Sequence, residues 1–61
     1  MKMKIGDHVN AVYDNGEVVI GEVVDVKLFS YRILLTVKCK QGYRSIYIDK
    51  CEEFFVLENA N

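Results

Sequence analysis

The chain contains no proline and no tryptophan, only four glycines and a single histidine. These scarcities exclude the collagen-like and low-complexity disordered classes, which need glycine and proline in bulk. Charge of one sign is lacking too. Eight basic and nine acidic residues leave a net charge of -1, which argues against a chain whose main task is to hold nucleic acid by charge. Met1-Lys2-Met3-Lys4 offers no apolar run. No secretory signal, membrane span or lipidation motif is therefore expected, and the reading is a cytoplasmic protein without membrane attachment.

Chemistry-bearing residues are equally sparse. Cys39 and Cys51 match no zinc spacing, and His8 is the only imidazole. A free thiol behaves as a small hydrophobe, and both cysteines are expected reduced and partly buried. No metal and no cofactor is expected. His8 has no orienting partner nearby, and Glu52-Glu53 reads as solvated carboxylates at a turn. No glycine-rich phosphate loop is present. The expectation is that the protein is not an enzyme.

What the chain does have is apolar substance. Of its 61 residues 51% are hydrophobic, enough to supply a core for one small domain, with an ordered part from about Ile5 to Leu57. Alternation with period two, broken by turn chemistry, predicts an all-β fold of five strands. The first runs His8 to Tyr13, with Val9, Ala11 and Tyr13 on one face. Asn15-Gly16 predicts a two-residue type I′ turn, pairing Val12 with Val19 outside and Ala11 with Ile20 inside. The second strand, Glu17 to Val26, changes parity near Gly21, which predicts a bulge there. Lys27 to Ser30 is a connection, and Tyr31 to Cys39 a third strand, with Tyr31, Ile33, Leu35, Val37 and Cys39 on the inner face and Arg32, Leu34, Thr36 and Lys38 on the outer. A turn at Gln41-Gly42 leads to a fourth, Tyr43 to Ile48, pairing Val37 with Ile46. Asp49 to Glu53 reads as a single helical or 3₁₀ turn, Phe54 to Leu57 as the fifth strand, and Glu58 to Asn61 as a frayed tail.

The run Ile5-Gly6-Asp7-His8-Val9-Asn10-Ala11-Val12-Tyr13, then Asn15-Gly16 and Gly21-Glu22-Val23-Val24-Asp25-Val26, resembles the opening of Tudor-like and KOW-like domains. Ile48-Asp49-Lys50-Cys51-Glu52-Glu53-Phe54 resembles the single turn before their last strand. The resemblance implies a five-stranded SH3-like small barrel, an architecture that serves many unrelated roles. Tudor domains that read methylated side chains use an aromatic cage. Tyr13 stands where one wall belongs, but Val19 and Cys39 occupy the other places, so the cage is incomplete. KOW domains contact RNA or the transcription and translation machinery. A remoter likeness is to the type II dihydrofolate reductases, oligomeric enzymes built from such barrels. Their Val-Gln-Ile-Tyr signature is here Arg44-Ser45-Ile46-Tyr47, without the glutamine.

Two surfaces stand out. Val12, Tyr13, Val19 and Leu34 form the candidate site for a protein partner or for a second copy, because a contiguous apolar cluster on a surface marks an interface. Arg32, Lys38 and Lys40, interleaved with Tyr43 and Tyr47, form the candidate face for RNA or single-stranded DNA, where bases stack between cations. Such binding is expected to be weak. The favoured expectation is a bacterial or phage adaptor or regulator working through protein contacts.

Overall fold

The structure, a computed structural model, describes residues 3–60. Its elements follow in the order β1 (His8–Tyr13), β2 (Val18–Leu28), β3 (Ile33–Cys39), β4 (Gly42–Tyr47), a 3₁₀ turn (Ile48–Lys50) and β5 (Cys51–Glu58). All five strands belong to one antiparallel sheet of order β4-β3-β2-β1-β5. No ladder joins the edge strands β4 and β5 among the described residues. Among these residues no helix is long and apolar enough to cross a membrane.

The first hairpin differs from expectation by one residue. Gly16 N–H donates to Tyr13 O at 2.9 Å, Tyr13 N–H to Glu17 O at 2.8 Å, and Glu17 N–H to Asn15 Oδ1 at 2.9 Å. Gly16 has φ +86°, and no non-glycine residue described has positive φ. A type I′ turn needs positive φ at both central residues, so Asn15-Gly16 is not one. The connection is a three-residue loop, Asp14-Asn15-Gly16, closed by a left-handed glycine. Ala11 therefore pairs with Val19 and Val12 with Val18. A one-residue slip exchanges the faces of a strand. Val19 is a core residue, only 2% exposed, and Val18 and Ile20 point outward.

The expected parity change at Gly21 is absent, since Val19, Gly21 and Val23 share the inner face. Gly21 is required for a different reason: a Cβ there would meet the Lys38 carbonyl oxygen at 2.1 Å. The strand turns at this point, its first part paired with β1 and its second with β3. The bulge lies further on, at Val24, between the pairs Val23–Val37 and Asp25–Thr36. In the second hairpin the register is displaced by two residues, giving Leu35–Ile46 and Val37–Arg44 around a turn at Lys40-Gln41. A two-residue shift preserves faces, so the inner and outer sets on β3 stand. Tyr31, expected inside at the start of that strand, precedes it and is 95% exposed.

The core is Val9, Ala11, Val19, Val23, Leu35, Val37 and Ile46, with Met3, Tyr13, Val26, Phe54 and Val56 among the side chains packed against it. Burying one Val, Leu or Ile contributes about 1.5–3 kcal/mol, so a core of seven residues tolerates few losses. One carboxylate is buried with it. Asp7 accepts the Lys4 N–H at 3.0 Å and the Ala60 N–H at 2.7 Å, and these bonds hold its pKa below the ordinary value. The expected frayed tail is thus ordered through Ala60: Glu58 ends β5 and Ala60 is fastened to the first turn. Asn61, its last residue, and Met1-Lys2 lie outside the described residues.

Candidate interaction surface

Alternation along β1, β2 and β5 turns one side chain in two away from the core. The outward residues form rows across the three strands: Val18–Val12–Glu53, then Ile20–Asn10–Phe55, then Glu22–His8–Glu58. Val18, Ile20 and Phe55 are 52%, 53% and 53% exposed, and half-buried Val12 lies between them. Leu57, exposed and unpaired at the bulge between the Val9–Val56 and His8–Glu58 pairs, extends the apolar area. Asn10 sits at the centre, its Oδ1 buried without a hydrogen-bond partner. Neighbouring strands are about 4.8 Å apart, so Ile20 and Phe55 flank Asn10 at roughly 10 Å from each other.

Beside this strip the bend at Gly21 opens a notch. Because β2 leaves β3 there to follow β1, the tip of the β3–β4 hairpin stands apart from the start of β2. The notch is a groove of about 470 Å³, lined by Val18, Val19, Ile20, Cys39, Lys40, Gln41 and Arg44. Arg44 Nη2 donates to Glu17 Oε1 at 2.6 Å, an exposed pair that ties β4 to the loop before β2. Lys40 makes no ion pair among the described residues.

The four residues expected to form a partner site are not brought together. Val12 belongs to the strip. Val19 is a core residue that reaches the surface only as part of the groove lining. Tyr13 packs against the core at the end of β1, where burial pushes its phenol pKa up. Leu34 lies across the sheet, paired with Lys27 and Tyr47. The residues that sequence reasoning missed are Val18, Ile20 and Phe55. The first two were hidden by the register of the hairpin, and Phe55 by the continuous apolar run Phe54 to Leu57, in which parity is illegible.

The aromatic–basic face is assembled but largely self-occupied. The Arg32 guanidinium lies 3.6 Å from the Tyr47 ring centroid, and its Nε donates to Asp49 Oδ1 at 3.1 Å. A ring covered by its own arginine offers that face to no base. Tyr43 and Lys38 are paired and exposed, and Lys40 is in the turn beyond. Three of the five residues are therefore free to meet a ligand.

Both thiols are free and half-buried. Cys51 Sγ lies 3.5 Å from Tyr47 O, and burial raises its pKa, helped by the Asp49 charge, so the inert protonated form is favoured. No cluster of three metal-ligating side chains exists among the described residues. Ile46, part of the short reductase-like run, is fully buried in the core.

No protein-family model matches this chain, and no curated protein or solved structure matches it significantly.

Proposed function

We propose that this protein is a non-enzymatic binding module of the SH3-like barrel kind, an adaptor or regulator that works through protein–protein contacts on the outer face of β2, β1 and β5. The observation that carries this reading is the juxtaposition of Val18, Ile20 and Phe55, each more than half exposed, in adjacent rows of one rigid sheet. Apolar side chains scattered singly over a surface mean little, whereas a contiguous group marks an interface. The barrel assignment is supported by the strand order, the bend of β2 at Gly21 and the 3₁₀ turn before the last strand.

The reading is tested by affinity capture from a host lysate, treated with nuclease, using the wild-type chain and the Ile20→Ser and Phe55→Ser variants. A protein retained after nuclease by the wild type and lost by both variants is the expected result. Capture unchanged by either substitution, with both variants folded, would falsify it.

A further inference from the structure

Across the apolar strip the charge changes sign. On the β2 flank stand the unpaired Lys40 and, beside it, Arg44 with its Glu17 partner. On the β5 flank Glu53 lies next to Phe55 on the same outward face, and Glu58 ends the strand. His8 and Glu22 occupy the row beyond, with Lys38 paired to Glu22 one strand further out. Shape changes in the same sense. The β2 flank is hollowed by the groove of about 470 Å³, and the β5 flank carries a half-exposed phenyl ring. The central strand, β1, separates hollow from ring and cation from anion.

A surface of this kind is complementary to itself under one operation. A two-fold rotation about a line running along β1, in the plane of contact, lays each flank on the opposite flank of a second copy. Rotation about a line across the strands would instead set Lys40 on Lys40 and Glu53 on Glu53. We infer that the strip is the contact between two copies of this chain. Phe55 of each sits against Val18 and Ile20 at the mouth of the other's groove, and Glu53 of each faces the other's Lys40. The inference rests on the strip being a protein–protein surface and names its occupant.

Sedimentation equilibrium on the full chain tests it, with circular dichroism melts to show that each variant is folded. The expected result is a monomer–dimer equilibrium that Phe55→Ser weakens by about tenfold or more. Lys40→Glu and Glu53→Lys each weaken it by roughly fivefold or more in low salt, and the double variant, with the charges exchanged, recovers most of the loss. A wild-type chain that stays monomeric at every concentration overturns the inference, as does a dimer indifferent to Phe55→Ser or a double variant no tighter than the singles. If the chain is monomeric yet Phe55→Ser releases a captured protein, the second copy is the wrong occupant and the proposed function stands. If Phe55→Ser changes neither self-association nor capture, both fall.

Discussion

Asp7 is a buried carboxylate, and each of its two oxygens accepts a backbone amide, one from Lys4 and one from Ala60. Nothing in Gly6-Asp7 announces a clasp, because one of its two donors, the Ala60 amide, is 53 positions away. Its low pKa comes first from the Ala60 hydrogen bond and then from that of Lys4, with burial opposing them. A carboxyl whose pKa falls on folding stabilises the fold above its unfolded value and loses that contribution as pH drops through the folded one. Wild-type stability is therefore expected to fall as the pH is taken below the ordinary value of 3.8. Asp7→Asn retains one acceptor oxygen and loses the charge. It is expected to lower the urea midpoint at pH 7 and to flatten that part of the acid dependence. Equal midpoints for the two proteins at pH 7 would show that the clasp carries no stability.

At the scale of elements, most of the fold was legible. The bounds of β1 and the inner face of β3 follow from alternation and turn residues, and so does the existence of a turn before the last strand, although it spans Ile48–Lys50 and the expected turn residues Cys51 to Glu53 already belong to β5. The register of the first hairpin was not, because Asp14-Asn15-Gly16 suits both a two-residue turn at Asn15-Gly16 and a three-residue loop closed by Gly16. The choice depends on Asn15, whose backbone keeps negative φ while its side chain accepts the Glu17 amide. Hydrophobicity could not decide either, since Val18, Val19 and Ile20 are all apolar and either parity fills the core. The bulge moved for the same reason: with the correct parity no switch is needed before Val24. This register has a sharp consequence. Val19→Lys buries an ammonium in the core, which costs several kcal/mol, and is expected to abolish the cooperative urea transition. Ile20→Lys, on the outer face, is expected to leave that transition within roughly 0.5 kcal/mol of wild type. The reverse pattern would restore the two-residue turn.

The whole molecule is electrically divided in a way that a net charge of -1 conceals. From Arg32 to Tyr47 the chain carries Arg32, Lys38, Lys40 and Arg44 and no carboxylate, and from Cys51 to Ala60 it carries Glu52, Glu53 and Glu58 and no base. Folding places these two stretches on opposite sides of β1. The basic half is nonetheless poorly equipped for nucleic acid. Arg32 and Arg44 are engaged by Asp49 and Glu17, leaving Lys38 and Lys40 to meet phosphates. Two contacts to a single strand correspond to a salt slope of about -1.4, and one open ring, Tyr43, adds roughly 1–3 kcal/mol by stacking. Fluorescence anisotropy with random oligonucleotides at physiological salt is expected to find no submicromolar binding. Tight binding that Tyr43→Ala weakens would transfer the function to this face.

Both ends of the described chain converge on one carboxylate, since the amides of Lys4 and Ala60 donate to the two oxygens of Asp7. Such a domain leaves and re-enters its surroundings at almost the same point. It can be carried as a guest within a surface turn of a host protein, which needs to part only by the span of a carboxylate and its two donors. Its outward strip would then be displayed from the host on a stalk of two adjacent strands of backbone.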